Sequence, residues 1–295
     1  MDKPFAQMPP TPRKPQVMPP AQACDAHVHL VGGPNDFPLW DGRVENPARD
    51  DQGGPDFDGW LDQYRAHLDA LGFERSVIVH SILYGTDNSI TIETVKRLGP
   101  KFVGVGLLPD TASEAQIAAF ATQNMKAVRL NYVHGGVLSW DGAKAMAPTL
   151  AAHGLHIQML LHSHLHMADL AADIKALPVP LVIDHLGWPD LSLGVDDPGF
   201  QTLLRLVGDG HAYIKLSALY RLCPAPYGQA APFVDALVRA NPQQCLWGSD
   251  WPHLMLNGAE MPHAASLLDA FHDVVTGKLD RQTILCDTPA QLFFS

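Results

Sequence analysis

The sequence predicts a single closed (β/α)8 barrel over residues 23–295, behind a proline-rich arm at 1–22. Three observations lead there. Apolar or β-branched runs of strand length recur eight times, with amphipathic stretches between them. No break in composition marks a second domain, and 46% hydrophobic residues in a chain of 295 suffice for one large core. No glycine-rich phosphate loop follows the first run, which disfavours an open doubly wound sheet.

The elements follow in order. Residues 1–22 carry seven prolines and little periodicity, and are expected as an extended arm on the surface or on a partner subunit. Cys24–Leu30 is the first strand. Residues 31–56, rich in Gly, Pro and Asp, form a long loop above its carboxyl end, of the kind that serves as lid or binding loop. Phe57–Leu71 has helical spacing at Trp60, Leu61, Tyr64, Leu68 and Leu71. Strands are expected at Ser76–His80, Phe102–Leu107, Ala127–Asn131, His156–His162, Leu181–His185, Ala212–Ser217 and Cys245–Gly248. The helices between them fall near 89–98, 113–123, 142–152, 167–176, 199–207 and 232–240, with His263–Val275 and Arg281–Phe293 terminal.

The formal charge of −11 with no basic block argues against nucleic acid, while leaving room for a small anionic substrate held by a few arginines. No apolar run reaches membrane-span length, and the N-terminus lacks a signal peptide's apolar core, so the reading is a cytoplasmic protein. Nothing in the chain excludes a homo-oligomer. Cys24, Cys223, Cys245 and Cys286 lack CxxC spacing and read as reduced packing residues.

In a strand, residues i and i+2 share a face, so His27-Val28-His29 aims two imidazoles into one cavity. A carboxylate from Trp247-Gly248-Ser249-Asp250-Trp251-Pro252-His253 reaches the same cavity if the sheet closes. Two imidazoles and a carboxylate can bind a divalent metal or activate water. The other expected strand ends are polar too: His80, Arg129 with Asn131, His162 with His164 beyond, Asp184-His185, Ser217 leading to Tyr220 and Arg221, and finally His253. Bland readings stand beside these. His80, His134, His166 and His253 could each be satisfied polar residues. His153, His156, His211, His263 and His272 read as structural or exposed. Asp184 precedes His185 and is expected on the opposite face, as a buried hydrogen-bond acceptor. Trp188, Trp247 and Trp251 read as packing, with Trp188 a candidate pocket floor.

Six segments together resemble the amidohydrolase superfamily, in the branch of 2-pyrone-4,6-dicarboxylate lactonase and related sugar lactonases. They are Asp25-Ala26-His27-Val28-His29, Gly85-Thr86-Asp87-Asn88, Val128-Arg129-Leu130-Asn131, Val182-Ile183-Asp184-His185-Leu186-Gly187-Trp188-Pro189-Asp190, Lys215-Leu216-Ser217 and 247–253. The resemblance implies a distorted TIM barrel that hydrolyses a cyclic ester. It makes Asp250 the general base and His27, His29 and His185 the group that polarises the carbonyl. It assigns Arg129 and Arg221 to substrate carboxylates, with Asn131, Ser217, Tyr220, Trp188 and His253 also expected around the substrate.

Two departures bear on this. Trp188 stands where the dicarboxylate lactonases carry Arg, and Tyr132-Val133-His134-Gly135-Gly136 lacks their basic residue after the fourth strand. Losing two guanidinium forks favours a singly carboxylated lactone or a sugar lactone. His162 stands where the lactonase lacks histidine, which opens a single zinc site of His27, His29, His162 and Asp250 beside the metal-independent alternative. No lysine ends the fourth strand, so a binuclear site is not expected. Two rival readings are a metal-dependent decarboxylase of the same superfamily acting on a ring carboxylic acid, and a barrel that only binds a small acid.

Overall fold

A computed structural model describes residues 3–33, 35–49 and 53–295; residues 1, 2, 34 and 50–52, parts of the expected arm and long loop, lie outside it. Eight parallel strands form one sheet in chain order: β1 Cys24–Val28, β2 Arg75–Val79, β3 Phe102–Gly106, β4 Met125–Asn131, β5 His156–Leu160, β6 Leu181–Ile183, β7 Tyr213–Ser217 and β8 Cys245–Gly248. Helices return the chain between strands: α1 Phe57–Leu71, α2 Ser89–Leu98, α3 Glu114–Thr122, α4 Trp140–Ala152, α5 Ser163–Ala176, α6 Pro198–Gly208 and α7 Ala231–Ala240. α8 Ala264–Val274 follows β8, and the expected last helix is α9 Lys278–Gln282, a π-turn at Thr283–Asp287, and α10 Thr288–Phe293. It is a TIM barrel.

Closure comes from backbone bonds just past β8. Asp250 N donates to His27 O at 2.8 Å, and His29 N donates to Trp251 O at 2.7 Å. The approach demands Gly248: a Cβ there would stand 2.6 Å from His27 Cβ.

Strand alternation sorts two apolar layers. Cys24, Ala26, Val77, Val79, Val103, Val105, Ala127, Val182 and Leu246 fill the lower barrel, sealed by Phe293 of α10. His156 lies in this plug, its ring 5.1 Å from that of Phe293. The larger cluster lies between strands and helices and includes Val28, Trp60, Leu150, Phe200 and Phe271.

Local signals set the helix starts. Asp56 caps α1 on Gly59 N, Ser113 and Gln116 form a capping box at α3, and Asp197 caps α6 on Phe200 N. α5 begins at Ser163, four residues before the expected start, because β5 stops at Leu160 and His166 Nδ1 accepts from His162 N at 3.0 Å, within the first turn. The arm lies on its own barrel: Arg13 Nη2 donates to Ser266 Oγ, Gln16 N to Asp269, and Phe5 bridges to Asn46 in the long loop. No helix among the described residues is long and apolar enough to cross a membrane.

Candidate active site

A β-bulge aims the first histidine. The β1–β2 register slips between Asp25 and Val28, so Ala26 and His27 both reach the interior, Val28 turns out to the helix layer, and His29 turns in again. His27 Nε2 then lies 3.7 Å, and His29 Nε2 3.4 Å, from the same atom, Asp250 Oδ1. His29 Nδ1 sits 2.7 Å from Val79 O. A carbonyl only accepts, so that nitrogen carries a proton, and Nε2 is the atom that His29 turns towards Asp250.

Asp184 and His185 do not take opposite sides at the end of β6, because alternation carries Asp184 inward after Val182 and His185 then leaves strand geometry. Asp184 faces the interior, not the opposite side: its Oδ1 is 3.2 Å from His27 Nδ1, and its Oδ2 accepts from Gln158 at 3.1 Å and Arg129 at 3.3 Å. It is a buried acceptor, as expected. His185 also reaches the site because the chain leaves the strand at once, with φ of 56° at His185 and 58° at Leu186. Its Nδ1 pairs with Ser217 Oγ at 2.9 Å, and its ring centroid is 4.7 Å from that of His27. Burial pushes its pKa down to about 4, so the ring is neutral at neutral pH.

Asp250 follows β8 in the same left-handed conformation, φ 62°. Its two oxygens have different surroundings. Oδ2 accepts from Tyr220 Oη at 2.6 Å and from Arg221 Nε and Nη2 at 3.2 and 3.1 Å. Oδ1 faces the imidazoles with no hydrogen-bond partner. Burial opposes ionisation, but Arg221, His185 and His29 outweigh it and hold the carboxyl well below its ordinary pKa. The result favours an ionised carboxylate with one oxygen clamped and the other unpaired beside His27 and His29.

Several residues expected around the substrate hold the site's own side chains instead. Arg221 spends its guanidinium on Asp250 and on the carbonyls of Met255 and Leu254, both at 2.7 Å, which removes it as a free clamp for a substrate carboxylate. Tyr220 serves the same carboxylate, and Ser217 serves His185. Asn131 Oδ1 accepts from Val133 N and His134 N and shapes the turn after β4. His253 is buried edge-on to Tyr220, with ring centroids 5.2 Å apart. Trp188 stands between His162 and His185, 5.3 and 6.2 Å from them by ring centroid. Arg129 differs: 17% of its side chain is exposed, and its Nε has no partner. His80 is a satisfied core residue, its nitrogens on Thr91 Oγ1 and Gly85 O.

Sequence reasoning missed the floor. Lys215 is fully buried, its Nζ 2.6 Å from Gln158 Oε1, 3.3 Å from His27 Nδ1 and 3.5 Å from Asp184 Oδ1. A signal was present: Lys215 shares a strand face with Ser217, and Gln158 interrupts the apolar run of β5.

The donor set bears on a metal. His27, His29 and Asp250 form one group of converging ligand atoms, and His27, Asp184 and His185 another; His162 is in neither. The early start of α5 carries His162 to the rim, its ring 5.5 Å from that of His164, so the expected four-residue zinc set does not assemble. Ligands bound tetrahedrally at about 2.0–2.2 Å stand roughly 3.3–3.6 Å apart. The 3.4 Å edge between His29 and Asp250 matches, and the 3.7 Å edge to His27 is slightly longer. Three such ligands fit a divalent ion with an open position, provided His27 Nε2 is bare.

The amidohydrolase family model matches residues 24–294. The chain belongs to the amidohydrolase family. It is 31% identical to 2-pyrone-4,6-dicarboxylate hydrolase of Comamonas testosteroni, over 96% of this chain and 93% of that one. It is 30% identical to 4-sulfomuconolactone hydrolase of Rhizobium radiobacter, over 93% of this chain and 90% of the relative. Among solved structures, a putative 2-pyrone-4,6-dicarboxylic acid hydrolase from Pseudomonas putida superposes with a TM-score of 0.75 at 27% identity, covering 93% of this chain and 98% of that one. This amidohydrolase ends β4 with Arg129, Leu130 and Asn131 and has no lysine there to bridge two metals.

Proposed function

We propose that the protein hydrolyses a lactone bearing one acid group, with Asp250 as general base. The observation that carries this reading is the asymmetry of Asp250: Oδ2 is clamped by Tyr220 and Arg221, while Oδ1 has no hydrogen-bond partner and faces His27 and His29. The named activities of the two relatives, both lactone or pyrone hydrolases, support the substrate class.

The chemistry balances with the residues at hand. Water attacks the ring carbonyl carbon, and Asp250 Oδ1 takes its proton as the new C–O bond forms. His27 and His185 lie beside the carbonyl oxygen and stabilise the oxyanion through N–H donors. His29, its Nδ1–H committed to Val79, orients the water through Nε2 beside Asp250. The tetrahedral adduct collapses by breaking the ring ester C–O bond, Asp250 returns the proton to the leaving oxygen, and a hydroxy acid results. A divalent ion held by His27, His29 and Asp250 would, when bound, supply Lewis-acid polarisation and lower the pKa of the water. Arg129 holds the acid group, and Trp188 floors the ring.

The test is a panel of lactones with zero, one and two acid groups, 2-pyrone-4,6-dicarboxylate included, followed by proton release and product mass. Hydrolysis fastest on a singly acidic lactone and abolished in Asp250→Asn is the expected result. Carbon dioxide release from ring carboxylic acids with no lactone turned over would move the site to the decarboxylase reading.

A further inference from the structure

Beneath the imidazoles, His27 Nδ1 has two competing neighbours. Asp184 Oδ1 lies at 3.2 Å and can only accept; the Lys215 ammonium lies at 3.3 Å and can only donate. Nδ1 satisfies one of them, and the choice determines which face the ring shows the substrate. A proton on Nδ1 leaves Nε2 a bare lone pair. A lone pair on Nδ1 places the proton on Nε2, towards Asp250 and the cavity.

The surrounding bonds favour Lys215. Asp184 Oδ1 has no hydrogen-bond partner: at 3.2 Å it lies out of line with an N–H on the His27 ring. The charge of Asp184 is met at its other oxygen by Arg129 and Gln158. Gln158 is oriented by the same network, its amide N–H on Asp184 and its carbonyl on Lys215 at 2.6 Å, which pins the ammonium beside His27. Lys215 is fully buried and does not face the cavity as a nucleophile.

We propose that Lys215 is a positioning residue that fixes the proton of His27 on Nε2, making His27 a hydrogen-bond donor to the substrate and withholding it from a divalent ion. The donor role towards an oxyanion rests on the lactonase reading; the tautomer and its effect on metal affinity do not. Removing the ammonium leaves Asp184 as the neighbour of Nδ1, and a small ring rotation then turns Nε2 into a ligand.

The experiment is 15N–1H correlation NMR of histidine-labelled full-length protein, with the His27 signals assigned by their loss in His27→Gln. The wild type should show Nε2–H at His27. Lys215→Met should switch it to Nδ1–H and tighten binding of Co2+ or Zn2+, titrated alone, by at least tenfold. Lys215→Gln, whose amide N–H can still donate to Nδ1, should keep the wild-type tautomer. Nδ1–H or a doubly protonated ring in the wild type overturns the proposal, as does an unchanged tautomer in a folded Lys215→Met. If Lys215→Met does not fold, the wild-type tautomer and Lys215→Gln decide it alone. Neither readout requires turnover, so a failed lactone screen leaves this result intact.

Discussion

Tyr220 donates its hydroxyl to Asp250 Oδ2 at 2.6 Å, and Arg221, the next residue, binds the same oxygen through two nitrogens. One 3-10 turn at Leu219–Arg221, just after β7, therefore clamps the carboxylate that follows β8. The unclamped oxygen is the only one available to take a proton.

Asp250→Asn should lower kcat by at least about a hundredfold with little change in folding, since the amide keeps the shape but takes no proton and general-base catalysis typically contributes on the order of 100–10,000-fold. Steady-state kinetics beside circular dichroism check this. Turnover near wild type would remove Asp250 from the mechanism.

Arg221→Met should act on kcat more than on KM, because Arg221 touches Asp250 and backbone carbonyls. Loss of the guanidinium also lets the Asp250 pKa rise, so the acid limb of the kcat profile should move to higher pH. Tyr220→Phe removes one charge-assisted hydrogen bond of about 1.5–3 kcal/mol and should cost roughly 10–100-fold in kcat. A pure KM effect in either variant would return these residues to substrate binding.

Arg129→Met should raise KM for an acidic lactone and matter less for a neutral one. The comparison needs both substrates with the same variant. Equal losses on the two would mean that Arg129 serves Asp184 alone.

Acid should destabilise the fold through buried neutral histidines. Burial pushes His80 down to about 4 and His156 down to about 3, against 6.5 for the unfolded chain. Between pH 6.5 and those values the unfolded chain binds protons that the folded chain refuses, so stability falls as pH drops through that window. At one pKa unit per roughly 1.4 kcal/mol, His80 accounts for about 3 kcal/mol at most. His156 Nε2 has no hydrogen-bond partner, so His156→Leu should be nearly neutral at pH 7 and should flatten the acid slope of urea-unfolding midpoints between pH 6.5 and 4. An unchanged slope would assign the acid sensitivity elsewhere.

The barrel was legible because each strand carries its own run of apolar residues and amphipathic stretches separate them. The convergence of His27, His29, His185 and Asp250 was legible from strand ends and spacing. What escaped came from places where the backbone leaves regular geometry or where one residue's partner decides its role. Asp184 follows Val182 to the interior, and the left-handed turn at His185 brings that ring to the same side, which no pattern of alternating residues foretells. The short β5 carried His162 away from the metal set. Arg221 looked like a substrate clamp because sequence shows a charge near a site but not the carboxylate already bound to it. Lys215 went unassigned because its meaning depends on Asp184 and Gln158, which lie on other strands.

Gly248 lets β8 come within contact of His27, and the backbone there joins the chain's first strand to its last. The reaction centre is thus the seam of the ring. During synthesis the histidine pair emerges early and waits for more than two hundred residues until its carboxylate arrives. With Asp250 as the proposed base, a truncated or half-closed chain would hold imidazoles alone and turn over nothing. Activity would then report directly that the circle has closed.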